Sequence, residues 1–206
     1  MHFHDYSLDY FGDFYYNKWG NPDSVIFGFV ATGSPNVYFK YNNKKQLTQA
    51  KFSYLNGANE GFHRFGYTNG VITTDTTYNW PSNEEPVPLN YYSKTLSYFE
   101  YDDFGRIIKR TIHYLSPSYP PSEWTYSYDE NGNLVTPVPV QYDNYTNFLV
   151  LHPVWQFLEA NYSRNNPLPA ISYNNFRLPL KFEPGIAGGG IRFFARGVTE
   201  IEYDCK

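Results

Sequence analysis

The sequence predicts an all-β protein: a twisted antiparallel meander of β-hairpins with one short helix packed on the sheet. Aromatic residues make up 21% of the 206 residues, and aromatic and β-branched side chains favour strands. Fifteen glycines and 15 prolines would interrupt any long helix. A turn motif also recurs between strand-like runs. We therefore expect about ten strands of ordinary length in a single domain that spans residues 1–206.

The motif is a tyrosine, an aspartate or asparagine, two variable positions, a glycine, a polar residue and then apolar residues. Its clearest copies are Tyr101–Ile108 and Tyr128–Val135. Degenerate copies begin at Tyr16, Tyr41, Tyr67 and Tyr142, and Tyr203-Asp204 closes the chain. The first five of these tyrosines are between 25 and 34 residues apart. The motif is therefore a repeat, which covers about residues 14–145.

The conserved spacing within each copy matches the needs of a hairpin turn. An Asp or Asn side chain at the first turn position accepts backbone N–H groups two residues on, and Gly supplies the left-handed conformation that reverses the chain. Lys45 stands where Gly is expected, so it must adopt a positive φ at a cost, or the turn is open there. We assign structural turn roles to Asn17, Gly20, Asn69, Gly70, Asp102, Gly105, Asp129 and Gly132.

The same residues allow a metal-binding interpretation, which we disfavour. An EF-hand loop needs Gly at its sixth position and Glu at its twelfth, but a loop that starts at Asp129 has Gly at its fourth and Val140 at its twelfth. His2 and His4 share one strand face beside Asp5, without a visible third or fourth ligand. We predict no metal and no cofactor.

The repeat pattern resembles the YD (RHS-type) repeat, most clearly at residues 98–107 and 126–134. The whole chain is similar to the short, exported, often lipid-anchored YD-like proteins of Bacteroidota through Tyr15–Pro22, Asn161–Pro167 and Ile201–Cys205. The resemblance implies an exported protein, periplasmic or at the cell surface, whose signal or lipid-anchor segment is absent from this chain. It supplies no catalytic residues.

After Asn147 the alternation stops, and residues 146–206 are expected to hold one helix and the closing strands. Pro153 suits a first helical turn, and Val154, Phe157 and Leu158 form an apolar stripe at helical spacing. The sequence thus predicts a helix over about 153–160. Strand-like runs return at 170–182 and 191–203, and the glycine-rich segment 184–190 between them is expected to be a hairpin tip.

Charge and motif content argue against several functions. The net charge is −4 and the basic residues are scattered, so we expect no nucleic-acid partner. No run of 18 apolar residues exists, so the chain is not expected to span a membrane. The histidines at 63, 113 and 152 lack a neighbouring nucleophile motif, and Cys205 is alone near the end of the sequence. The carboxylate pairs 102–103 and 84–85 could in principle serve as the acid and base of a glycosidase. We nevertheless expect no enzyme and assign no catalytic residue.

The aromatic excess is the feature that bears on function. Exposed Tyr and Trp can stack on sugar rings or anchor a protein partner, although most such residues fill the core. Trp19 and Phe104 at turn tips and Trp80 in a proline-flanked loop are the candidate ligand-binding residues. The leading hypothesis is a non-catalytic cell-envelope module with a structural or interaction role and an unknown protein or glycan partner. A carbohydrate-binding module and a hydrolase are the alternatives.

Overall fold

A computed structural model describes residues 1–5, 10–28, 35–55, 57–82, 90–137, 140–167, 170–182 and 198–204. The glycine-rich segment 184–190, the acidic pair 84–85 and Cys205 lie outside these described residues. Contacts divide the chain into two compact units. We call residues 15–26 and 30–125 the repeat unit, and residues 1–14, 27–29 and 126–206 the closing unit.

The protein is all-β with a single short α-helix, as the sequence predicted. The described residues form fifteen strands rather than about ten, because several strands are only two or four residues long. The strands are β1 (His2–Asp5), β2 (Tyr10–Tyr16), β3 (Pro22–Phe27), β4 (Asn36–Tyr41), β5 (Leu47–Ser53), β6 (Asn59–Thr68), β7 (Val71–Asn79), β8 (Ser93–Tyr101), β9 (Ile107–Ser116), β10 (Ser118–Thr125), β11 (Ser127–Tyr128), β12 (Leu134–Val135), β13 (Ala170–Tyr173), β14 (Pro179–Phe182) and β15 (Thr199–Glu202).

The repeat unit is a meander in which each strand from β3 to β10 pairs antiparallel with the next. Alternate strands run the same way, so the turns after β4, β6 and β8 lie at one end of the sheet. Its apolar core comes from side chains that share a strand face. The most deeply buried members are Val25, Ala50, Phe62 and Ile107.

The closing unit has the strand order β2-β1-β15-β14-β13, with β11 and β12 as a separate pair. The N-terminal strand β1 thus lies between β2 and the late strand β15. Phe3, Phe14 and Phe27 form an aromatic core, in which Phe3 meets each of the other two rings at 6.2 Å between centroids. The Trp155 ring meets Phe14 edge-on at 5.3 Å, so the helix packs on these strands.

The helix α1 spans Pro153–Glu159, within one residue of the prediction, and follows a 3-10 helix at Phe148–Leu151. His152 caps it, because its Nδ1 accepts the Val154 N–H at 3.2 Å. Burial lowers the pKa of His152, which favours the neutral ring that this cap requires. Ala160 ends the helix at φ 46. Within the described ranges, no helix has the length and apolar character needed to cross a membrane.

Candidate functional site

Five turns share one hydrogen-bond geometry. In each, the side-chain oxygen of the first residue accepts the backbone N–H groups two and four positions on. At Asp102, Oδ1 accepts from Phe104 at 3.0 Å and from Arg106 at 2.9 Å. The Asp102 N–H donates to the Arg106 carbonyl, and the Asp102 carbonyl accepts the Gly105 N–H. The five turns begin at Asn17, Asn42, Asp102, Asp129 and Asn174.

The fourth residue of every such turn has a positive φ. Gly20, Gly105 and Gly132 adopt 79°, 75° and 80°, whereas Lys45 adopts 61° and Arg177 adopts 65°. The two non-glycine residues therefore carry the backbone strain that glycine avoids. The tighter turn at Asn69-Gly70 places both residues at positive φ, 52° and 86°. The turn at Asn174 was not predicted from the sequence, because Arg177 hides the expected glycine.

In several copies of the motif, the tyrosine ties its hairpin to an earlier one. Its hydroxyl donates to a backbone carbonyl just after the earlier turn: Tyr41 to Pro22 at 2.7 Å and Tyr101 to Ile72 at 2.5 Å. In the closing unit Tyr203 donates to Pro179 at 2.9 Å. These bonds lock the return strand of one repeat to the outgoing strand of the next.

The tyrosines of the motif resist ionisation. Burial, with a smaller effect from a neighbouring phenol at Tyr67, raises the pKa of Tyr101. Burial likewise raises the pKa of Tyr67 to about 12, although a backbone hydrogen bond from Leu47 opposes the shift. The phenols therefore stay neutral and keep their donor hydrogens, which is what a structural tie requires.

The carboxylate of Asp102 is likewise held by hydrogen bonds within its own turn. Partial desolvation opposes its ionisation, but hydrogen bonds from the backbone and side chain of Arg106, and from Phe104, outweigh this and lower its pKa. The Arg106 Nε and Nη2 atoms lie 2.8 and 2.7 Å from Asp102 Oδ2. The motif's polar atoms thus hold backbone and a neighbouring side chain.

The structure separates the three candidate aromatics. Trp19 and Phe104 project from turns and are 56% and 83% exposed, and Phe176, at the equivalent position of the unpredicted turn, is 73% exposed. A cation lies beside the first two rings: Lys18 Nζ is 4.7 Å from the Trp19 centroid, and Arg106 Cζ is 5.0 Å from that of Phe104.

Trp80 lies at the other end of the repeat unit, because it follows β7, which starts at the turn end. It is 47% exposed. Its ring stacks on Tyr54, which follows β5, with centroids 5.9 Å apart and an interplanar angle of 29°. Trp19 and Trp80 therefore cannot belong to one continuous row of aromatics.

A histidine that the sequence analysis treated as isolated has a carboxylate partner. His63 faces Thr77 across the β6–β7 ladder, and its Nδ1 lies 3.0 Å from Asp75 Oδ2 and 3.1 Å from Thr77 Oγ1. Asp75 is only 5% exposed. A His–Asp pair is a component of acyl-transfer triads, but there the nucleophile bonds the other ring nitrogen. Here the hydroxyl shares Nδ1 with the carboxylate, which makes the cluster a cross-strand polar contact.

The closing unit contains a buried amide network. Asn147, which is 0% exposed, accepts the Leu149 N–H and donates to the Ser163 carbonyl at 3.0 Å. Asn133 and Asn165 exchange two hydrogen bonds, from Asn133 Nδ2 to Asn165 Oδ1 and from the Asn165 N–H to Asn133 Oδ1. The segment from 161 to 167 is thereby fixed without belonging to a regular sheet.

Asp143 shows that the Tyr-Asp pair does not always make a turn. Its carboxylate accepts the Tyr173 hydroxyl at 2.6 Å and the Asn166 amide at 3.1 Å. The Tyr173 ring stacks on Tyr145 at 3.7 Å, with Arg177 over Tyr145. Burial first and the hydrogen bond to Asp143 second raise the pKa of Tyr173 to about 12.

The metal hypothesis concerned His2, His4 and the acidic side chains near them. His2 Nδ1 pairs with Asp13 at 2.7 Å. In the described part of the chain, no group of three or more His, Cys, Asp or Glu side chains is placed to hold a metal ion.

Comparison with models of known protein families found no match to this chain. Comparison with curated proteins found no match either. The likeness to YD repeats therefore remains a resemblance in sequence pattern.

Proposed function

We propose that the chain is an exported, non-catalytic β-repeat module of the cell envelope with a structural or interaction role. The observation that carries this proposal is the use of the repeated motif. Its Asp or Asn oxygen, its backbone and its tyrosine hydroxyl hold turns and join hairpins. Because the repeated polar groups hold turns and join hairpins, the chain forms a rigid sheet that displays side chains at its turn tips.

The turn tips are suited to contact. The rings of Trp19 and Phe104 stand on rigid turns and are largely exposed. Exposed aromatic side chains on a rigid frame lose little conformational entropy on binding, and Trp is enriched among residues that dominate binding energies. These tips support an interaction role for the repeat unit.

Co-sedimentation tests the proposal. The whole chain is incubated with envelope fractions of a Bacteroidota species, beside a Trp19→Ser, Phe104→Ser double variant that alters only exposed tips. We expect the wild type to sediment with the envelope and the variant to do so less. In parallel, the chain is offered chromogenic glycosides and esters. Turnover that disappears in a His63→Ala variant would instead support the hydrolase alternative and contradict this proposal.

A carbohydrate-binding module is the second candidate function. The stacked pair of Trp80 and Tyr54 favours it, because two rings held together and partly open to solvent are the kind of surface on which a sugar ring stacks.

A further inference from the structure

We propose that Trp80 and Tyr54, positioned by Glu60, form a binding platform for a neutral hexopyranose chain. The inference rests on the interaction role proposed above and names a site and a ligand class for it. We call these three residues the β7-end platform. They lie at the end of the repeat unit opposite the turn tips of Trp19 and Phe104.

Three neighbouring strands build the platform. Tyr54 follows β5, Glu60 lies in β6, and Trp80 follows β7. The Trp80 N–H donates to the Glu60 carbonyl at 2.9 Å, and the Tyr54 hydroxyl donates to the Glu60 carboxylate. The two rings therefore meet across β6, with both of them tied to the same residue. Such a surface is largely rigid before a ligand arrives, which reduces the entropy lost on binding.

The backbone of Trp80 indicates that the position is kept for its side chain. Trp80 has φ 51, a left-handed conformation that is unfavourable for a bulky residue relative to glycine. Glycine or asparagine would donate the same N–H to Glu60 with less strain. The indole is nevertheless held there, about half exposed. Strained residues that persist on a surface are a reason to infer function.

The ring environment distinguishes Trp80 from the other exposed candidates. Lys18 lies over Trp19 and Arg106 over Phe104, so a cation already occupies part of those ring faces. The recorded ring partner of Trp80 is an uncharged phenol. Its exposed indole surface is available for the C–H face of a sugar, which is apolar and electropositive and so complements an aromatic face.

The negative charge of Glu60 beside the rings favours neutral ligands over anionic ones. The Glu60 carboxylate is a hydrogen-bond acceptor, which suits sugar hydroxyl groups at the edge of a stacked ring. The same carboxylate repels phosphate, sulfate and uronate groups, so nucleic acids and acidic glycans fit the platform poorly. A protein partner with an aromatic-binding pocket is the competing occupant.

The test is a titration of the whole chain with cellohexaose, mannohexaose and galactohexaose, followed by calorimetry and tryptophan fluorescence. We expect one of these neutral oligosaccharides to bind. Trp80→Ala should weaken binding about tenfold or more, since removal of a central aromatic commonly costs that much. Trp124→Ala is the matched control, because it removes another exposed tryptophan, in β10, and it should bind as the wild type does.

Two further variants test the positioning role of Glu60. Glu60→Ala should weaken binding severalfold because the Tyr54 hydroxyl loses its acceptor, whereas Glu60→Gln supplies an amide oxygen and should restore most of the affinity. Circular dichroism checks that each variant is folded.

The proposal is overturned if the wild type binds none of the three sugars, if Trp80→Ala binds equally well, or if Trp124→Ala loses binding to the same degree. It is also overturned if wild type, but not Trp80→Ala, captures an envelope protein while binding no sugar, because the platform would then dock protein. In each case, retained co-sedimentation with the envelope would leave the module proposal standing.

Discussion

Two aspartates of the repeated Tyr-Asp pair, Asp102 in the repeat unit and Asp143 in the closing unit, use their carboxylates in different ways. In the repeat unit the hydrogen bonds of Asp102 stay within four residues along the chain. In the closing unit Asp143 bonds to Asn166 and Tyr173, which are 23 and 30 residues away. The Asp102 carboxylate therefore serves a local turn, as the side chains of Asp129 and Asn174 do in the closing unit. The Asp143 carboxylate accepts one local N–H, from Tyr145, and otherwise joins segments that are far apart along the chain.

One residue explains why the same Tyr-Asp pair behaves so differently. The fourth turn position is Gly105 after Asp102, but Thr146 after Asp143. A β-branched residue strongly resists the positive φ that this position requires. The turn therefore does not close at 143, and its carboxylate remains available to Asn166 and Tyr173. Local backbone preference thus decides whether an aspartate is used within a hairpin or across the fold.

The largest expected effect comes from breaking the long-range network. Asn147→Ala removes the cap of Leu149 and the donor to Ser163 at a fully buried site. Loss of two buried hydrogen bonds should lower the free energy of unfolding by about 3 kcal/mol. Urea denaturation measures it.

The matched control for that change is Asn144→Ala, three residues away at an exposed position. It should alter stability by less than about 0.5 kcal/mol. Equal losses for the two variants would mean that the network does not hold the closing unit.

The second effect concerns the tyrosine ties of the repeat unit. Tyr101→Phe removes the hydroxyl that donates to Ile72 and should cost about 1 kcal/mol. Tyr98→Phe, at an exposed tyrosine in the same strand, should be nearly neutral. A similar loss in both variants would show that the hydroxyl bond itself contributes little.

Another tyrosine of the motif, Tyr67, gives the stability a pH dependence of definite sign. The pKa of Tyr67 is raised to about 12 in the folded chain, above the ordinary value near 10. Its contribution is therefore complete below about pH 10 and is lost as the pH rises toward 12. Tyr67→Phe lacks this one loss, whereas the other buried tyrosines, such as Tyr101 and Tyr173, titrate in both proteins. The stability deficit of the variant relative to wild type should therefore shrink over that range. A widening deficit above pH 10 would contradict this account.

The contrast between local turns and long-range contacts also determines how much the sequence could predict. The hairpins at Asp102 and Asp129 were predictable, because an Asp that accepts backbone N–H groups and a Gly three residues later are local signals of a turn. The helix was predictable to within a residue because Pro153 and the apolar stripe are local signals. The partners of Asp143 and Asn147 were not, since they depend on segments more than ten residues away that carry no periodic pattern.

One local feature could have been found from the sequence and was missed. The turns at Asn174 and Asn42 both occur in the sequence Tyr-Asn-Asn. Each has a basic residue, Arg177 or Lys45, at the position with positive φ. Requiring glycine hid the copy with Arg177. The His63–Asp75 contact and the Trp80–Tyr54 stack depend on strand register, which loops of variable length do not reveal in the sequence.

The third effect compares two versions of the same turn position. A Cβ on Gly105 would meet nothing within 4 Å, so Gly105→Ala should cost only the backbone strain at φ 75, about 1 kcal/mol. Lys45→Gly relieves that strain and should stabilise the chain by a similar or smaller amount.

Thermal unfolding of the two variants should thus shift in opposite directions. Lys44→Gly is the control: it stands one residue earlier at an ordinary φ, where added glycine freedom destabilises. If Lys45→Gly and Lys44→Gly shift the melting temperature alike, strain at position 45 is not the cause.

The smallest expected effect is Asp102→Asn. Asparagine holds the equivalent turns at 17 and 42, so the variant should keep the turn and lose only the ion pair with Arg106, worth about 0.5 kcal/mol. Asp129→Asn is the matched control, since Asn133 stands where Arg106 does, and it should change stability less.

The pH dependence separates the ion pair of Asp102 from its turn role. The pKa of Asp102 is lowered in the folded chain by the hydrogen bonds that outweigh its desolvation. The stabilisation is therefore present above the unfolded pKa, near 4, and lost as the pH falls through the lower folded value. Wild type should exceed Asp102→Asn at pH 7 and match it once the pH has fallen below the lowered pKa of Asp102, because only a charged carboxylate attracts Arg106 more strongly than an amide does. A gap that persists at low pH would mean that asparagine does not reproduce the turn, and that the interchange of Asp and Asn along the repeat is not structurally neutral.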